Sequence, residues 1–133
     1  MDLTDTARKV FAGDNYARLT GVEIVSAGDG EAVCSLALDE RHRNARGVVM
    51  GGVLFTLADF AAAVAANSDT LENLQWVSLD STIHFLAPAT GDKLKATCKA
   101  LKQGRTTALY QTVIESLDNG KHVAIVETSM IRV

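Results

Sequence analysis

Apolar and polar residues alternate along most of this chain, with one long interruption. In Glu31–Leu38 the residues Ala32, Cys34, Leu36 and Leu38 share one face, the period-two pattern of a half-buried strand. Together with Val22–Ala27 and the turn Gly28-Asp29-Gly30, this segment predicts a hairpin. Residues 4–18 predict a short helix or two, broken near Gly13. In the second half, strand material returns as Leu74–Leu86, Lys93–Leu101, Thr106–Leu117 and His122–Val133. These are separated by Ala87-Pro88-Ala89-Thr90-Gly91, Gln103-Gly104 and Asp118-Asn119-Gly120.

The interruption runs from Gly47 to Ser68, 22 residues whose one charge is Asp59. It follows a polar loop, residues 39–46, and precedes another at Asp69–Asn73. The length raises the question of a membrane span. The Gly51-Gly52 pair, the many alanines and the central carboxylate argue against one. Apolar all round, the segment predicts a helix buried inside a protein. A hairpin, one long helix and four consecutive antiparallel strands imply an α+β domain over residues 1–133, its antiparallel sheet wrapped around one long central helix.

Composition narrows the partners. The chain is 47% hydrophobic and 22% charged, with a formal net charge of −3, which gives no general reason to expect nucleic acid. Cys34 and Cys98 stand among small or apolar residues at strand positions, the setting of buried free thiols, and a cytoplasmic location fits them. The amino terminus has no apolar signal-like core, and the three histidines and two cysteines have no zinc-ligand spacing, so neither a metal nor a membrane is expected.

Two features carry chemistry. An ionised carboxylate is costly to bury without a partner, and no Lys, Arg or His lies within one helical turn of Asp59. The residue is either catalytic or held by water, a hydroxyl or a backbone N–H. Gly51-Gly52 opens the helix, either as plain turn chemistry or as a place where unpaired N–H groups polarise a carbonyl oxygen. The two features are eight residues apart, about 12 Å along one helix axis. An aspartate side chain cannot close that distance. If both act on one carbonyl they must come from two subunits, which predicts a dimer with the site at its interface.

Asn44-Ala45-Arg46-Gly47-Val48-Val49-Met50-Gly51-Gly52, followed by Leu57-Ala58-Asp59, resembles the signature N-x-x-G-x-x-H-G-G-x-x-x-x-L-x-D of the PaaI-like hotdog thioesterases. The similarity continues through Val77–Asp80, Pro88-Ala89 and Lys102–Thr106. It implies a hotdog fold, homodimers that commonly pair into tetramers, and hydrolysis of acyl-CoA without a cofactor. It further implies that the Gly51 N–H polarises the thioester carbonyl, that Asn44 helps hold the carbonyl or water, and that Asp59 of the other subunit is base or nucleophile. Ser78 would orient Asp59 or the water. Met50, Gly52, Phe85, Lys102, Gly104, Arg105 and Thr106 would contact substrate, with Lys102 and Arg105 at the CoA phosphates.

The chain departs from the signature at Met50, where the family usually has histidine. Methionine donates no hydrogen bond, so the expectation is slower chemistry or a different acyl group. The alternative is an acyl-CoA binding or regulatory module without turnover. His84, which alternates with Asp80 and Thr82, and His42 in the loop are read as ordinary structural histidines before substitutes for the missing one.

Overall fold

Two short helices, α1 (Thr4–Phe11) and α2 (Asn15–Thr20), precede the hairpin of β1 (Val22–Gly28) and β2 (Glu31–Ala37). A 3-10 turn at Glu40–His42 leads to the long helix α3 (Gly51–Ala66). Four strands follow: β3 (Trp76–Phe85), β4 (Lys93–Gln103), β5 (Thr107–Ser116) and β6 (His122–Arg132). This computed structural model describes the whole of Met1–Val133. All six strands form one antiparallel sheet in the order β1-β2-β4-β5-β6-β3, wrapped on α3 as a hotdog fold.

Two expectations need correction. The last four strands do not pair consecutively: β3 lies at the far edge beside β6, leaving β4, β5 and β6 as the meander. The chain leaving α3 returns directly to that edge, and the segment after Phe85 then crosses the sheet end to reach β4. The apolar run from Gly47 is also not helical from its first residue: its opening four residues form a turn and an extended segment, and the helix starts at the Gly51-Gly52 pair. Gly47 has φ +79° and closes a turn in which its N–H bonds the Asn44 carbonyl at 2.9 Å. Val49 then bridges Arg43, and the Met50 N–H bonds the His42 carbonyl at 2.9 Å. That extended pairing excludes helical geometry until Met50 has passed.

One face of α3 is packed with small residues. Ala58, Ala61, Ala62, Ala65 and Ala66 are buried against a sheet face that includes Ala32, Cys34, Ala96 and Cys98. Small side chains on both sides let helix and sheet approach closely, and Leu57, Val64, Leu36, Leu94 and Ile114 fill the remaining volume. Both cysteines are buried and free, and loss of water pushes each thiol up to about 12, so they are inert at neutral pH. The helix is not covered all round, however. Gly52 and Asp59 are exposed and Phe55, Thr56 and Ala63 half-buried, a single stripe at three- and four-residue spacing. No helix is long and apolar enough to cross a membrane.

A buried asparagine locks the end of α3 to β3. Asn67 Nδ2 donates to the carbonyls of Ala63 and Trp76, and Oδ1 accepts from the N–H groups of Gln75 and Trp76 and from Thr70 Oγ1. Removing that amide strands several buried backbone groups at once. Asn67→Ala is therefore expected to lower stability by about 2–4 kcal/mol, measured by urea denaturation. A loss within experimental error would show that the loop repacks without the clamp.

Candidate active site

The amino end of α3 is presented by the loop before it. Met50 occupies the N-cap position with extended backbone angles and supplies no side-chain cap. The N–H groups of Gly51 and Gly52 have no partner in the chain, whereas that of Val53 is bonded to the Met50 carbonyl at 2.9 Å. Two donors at the positive end of a helix thus remain open to an oxygen. Packing as well as ligand approach bears on glycine at 51. A Cβ there would lie 2.8 Å from Phe85 Cζ, while one at Gly52 would meet open space.

Asn44 has only half of its amide available. Oδ1 accepts from the N–H groups of Arg46 at 2.9 Å and Val48 at 3.1 Å, shaping the loop. The Nδ2 group has no partner and the residue is exposed, so toward a ligand it acts as a donor.

Asp59 stands in the exposed stripe of α3, yet the surrounding protein removes enough water to raise its carboxyl above the usual range. Desolvation is the largest cause, and the negative charge of Asp14 adds to it. The Ser78 hydroxyl lies close to the carboxylate, favours its charged form and so works in the opposite direction. Asp14 had no signal of its own in the sequence: it is the N-cap of α2, accepting from the Ala17 N–H at 3.1 Å.

These contacts fix how α3 lies against β3. Gly51 is next to Phe85, Asp59 next to Ser78, and Asn67 next to Trp76, so the two elements run antiparallel. Ser78 and Phe85 are about 20 Å apart along the strand. Within one chain, Asn44, Met50, Gly51, Gly52 and Phe85 therefore gather at one end, and Asp59 with Ser78 at the other. The β4–β5 turn belongs to the Ser78 end, because Thr107 pairs with Ile131, which pairs with Val77. In that turn Lys102, Arg105 and Thr106 are exposed, Gly104 donates to the Thr107 carbonyl at 2.8 Å, and neither basic residue is in an ion pair.

Beside Gly51 runs an apolar groove of about 520 Å³, lined by Val48, Val49, Leu54, Phe85, Leu86 and Pro88 among others. His84 cannot serve the site of its own chain. It pairs with Ile125 on the outer sheet face, with Asp80 and Thr82, away from α3. His42 is buried, with both ring nitrogens engaged.

The family model of the thioesterase superfamily matches residues 46–122, the segment from the helix-opening loop through β5. The chain belongs to the thioesterase superfamily. It is 31% identical to human acyl-coenzyme A thioesterase 13 over 124 residues, covering 92% of this chain and 88% of that one. With acyl-coenzyme A thioesterase PaaI of Escherichia coli it shares 36% identity over 109 residues, 81% and 76% of the two chains. The solved structure of E. coli PaaI superposes with a TM-score of 0.86 at 31% identity, over 98% and 96% of the chains. A hypothetical thioesterase protein from Streptococcus pneumoniae TIGR4, solved with coenzyme A, superposes at 0.84 with 28% identity, over 95% and 96%. This is a PaaI-like hotdog thioesterase, and thioester hydrolysis is the chemistry of its family.

For this thioesterase the raised Asp59 carboxyl has two consequences. If Asp59 is the base of the reaction it must be ionised, and kcat/KM is then expected to fall as pH drops through a pKa above the ordinary carboxylate range. Ser78→Ala removes the hydroxyl that favours the charged form and should move that acid limb to higher pH. An unmoved limb in the pH–rate profile would separate Ser78 from Asp59. The sign for stability is the reverse of a salt-bridged acid. A folded-state pKa above the unfolded value favours folding at low pH, and the advantage is lost as pH rises through the folded pKa. At neutral pH, Asp59→Asn should therefore match or exceed the wild-type Tm, as checked by calorimetry.

Proposed function

We propose that this thioesterase hydrolyses an acyl-CoA thioester to a free carboxylic acid and CoA, in a site completed by two copies of the chain. The observation that carries this reading is the antiparallel lie of α3 on β3. It holds the open Gly51 N–H and the Asp59 carboxylate about 12 Å apart along the helix, too far for one subunit to bring both to a single carbonyl. A two-fold axis beside β3 brings the Gly51 end of one copy to the Asp59 end of the other. The uncovered edge supports that assembly. β3 has ten residues, no neighbour on its outer side, and exposed Val77, Leu79 and Phe85. Such an edge invites pairing with another strand.

In the shared site one subunit contributes Gly51, Asn44 and the apolar groove, and its partner contributes Asp59, Ser78 and the basic turn. The thioester carbonyl oxygen accepts from the Gly51 N–H, with the Asn44 Nδ2 donor close by. Asp59 takes a proton from water as the water oxygen bonds to the carbonyl carbon, and the developing negative charge falls on the oxygen held by Gly51. Collapse of that intermediate breaks the C–S bond, and the CoA thiolate leaves with the proton that Asp59 held. Water is the only co-reactant. The groove beside Gly51 has no charged lining residue, which suits an apolar acyl group. Lys102 and Arg105, free of ion pairs, suit the CoA phosphates. Met50 is exposed beside Gly51, where its flexible thioether packs against the acyl or pantetheine chain without assisting the leaving thiolate.

Asp59→Asn should remain folded and lose at least about 100-fold in thiol release from acyl-CoA. Near wild-type turnover would end the assignment. Gly51→Ala pushes the Phe85 ring and disturbs the carbonyl site instead. When the two inactive variants exchange subunits, half the dimers are mixed and each mixed dimer has one intact site. About a quarter of wild-type activity should return; no recovery after proven exchange would place both groups in one subunit. Replacing Lys102 and Arg105 with Ala should raise KM for acyl-CoA and spare an acyl-pantetheine substrate, whereas equal effects on both would mean that the turn acts by packing alone.

A further inference from the structure

The oxyanion donor is held by a loop, and the loop is held by one buried side chain. His42 lies in the segment between β2 and α3, with 2% of its surface exposed. Its Nδ1 accepts from the Asp39 N–H at 3.0 Å, so the ring proton sits on Nε2, which donates to the Thr20 carbonyl at 2.7 Å. Its own carbonyl accepts from the Met50 N–H at 2.9 Å. The imidazole thus spans from the end of α2 to the loop, and the same residue's backbone grips the peptide immediately before Gly51. Arg41 adds a second tie to α2, donating from Nη1 to the Leu19 carbonyl at 2.8 Å, but its side chain is about half exposed. His42 is the tie that water does not reach.

The geometry points to His42 as a positioning residue: its bond to the Thr20 carbonyl sets where the Gly51 N–H and the Asn44 amide stand against the thioester. This rests on the reading of Gly51 as the carbonyl donor. His42 lies behind the loop and touches no substrate. A displaced donor weakens the transition state more than the ground state, because the oxyanion charge develops only there. The cost should fall on kcat.

Two near-isosteric variants divide the ring between them. His42→Gln places an amide donor within reach of Thr20, whereas His42→Asn offers Asp39 an acceptor but cannot reach Thr20. His42→Asn should lose about 10- to 100-fold in kcat with KM for acyl-CoA nearly unchanged, and His42→Gln should recover most of the loss. In ¹⁵N–¹H spectra the Gly51 amide resonance should move in His42→Asn and return toward its wild-type position in His42→Gln. The Trp76 indole, beside the Asn67 clamp, should stay in place in both. Wild-type kcat in His42→Asn, or equal losses in the two variants, would overturn the proposal. The spectra separate this outcome from failure of the mechanism. A fully active Asp59→Asn would end the catalytic reading, and the Gly51 resonance would still report whether His42 positions the loop.

Discussion

The arrangement of this protein depends on the register between α3 and β3. Three contacts set it: Phe85 over Gly51, Ser78 against Asp59, and the Asn67 amide on the backbone around Trp76. The last is the strongest, since one buried side chain makes five hydrogen bonds, two of them to the buried backbone of Trp76. Because the elements run antiparallel, the helix start and the carboxylate cannot be neighbours within a chain. The proposed sharing of the site is a consequence of that register, and a slip of one helical turn would remove Ser78 from Asp59.

The alanine-rich face of α3 has a second effect. It allows the sheet to approach closely on most sides, so that only a narrow stripe of the helix remains uncovered. Asp59 is the one charged residue on that stripe, placed where water is scarce but not absent. Its raised carboxyl disfavours the charged form at neutral pH, a local loss of stability of the kind functional sites carry. Asp14, capping α2, increases that tension, and Ser78 relieves part of it. The balance between those neighbours tunes the group without any cation beside it.

Met50 sits where the polar assistance of a histidine is usual in the family, and nothing nearby takes over. His84 faces outward, and both nitrogens of His42 are engaged. What remains is a donor pair at a helix end, a half-free asparagine amide and an apolar groove. In the proposed reaction those parts would act by placement and electrostatics, and the proton for the leaving group would come from Asp59. Such a site depends on the rigidity of the loop that presents it, which gives the buried His42 its importance.

Much of this was legible in residue order alone. Alternation marked the strands, because a half-buried sheet imposes a period of two. The lone carboxylate in an apolar helix marked Asp59, because burying charge is costly, and helix rise alone separated it from Gly51. Other features had no local signal. That β3 pairs with β6 instead of β4 depends on how the chain returns from α3, and alternation is blind to partner choice. The extended pairing at Val49 and Met50, which delays the helix to Gly51, needs Arg43 and His42 in place across the loop. The space beside Gly51 is set by a ring 34 residues further on, at Phe85, which a side chain at 51 would have to displace. Asn67, Asp14 and His42 read as ordinary polar residues until folding brings their partners to them. The sequence determined which groups are available; the tertiary structure alone decided which of them meet, because contacts between distant segments are set by packing.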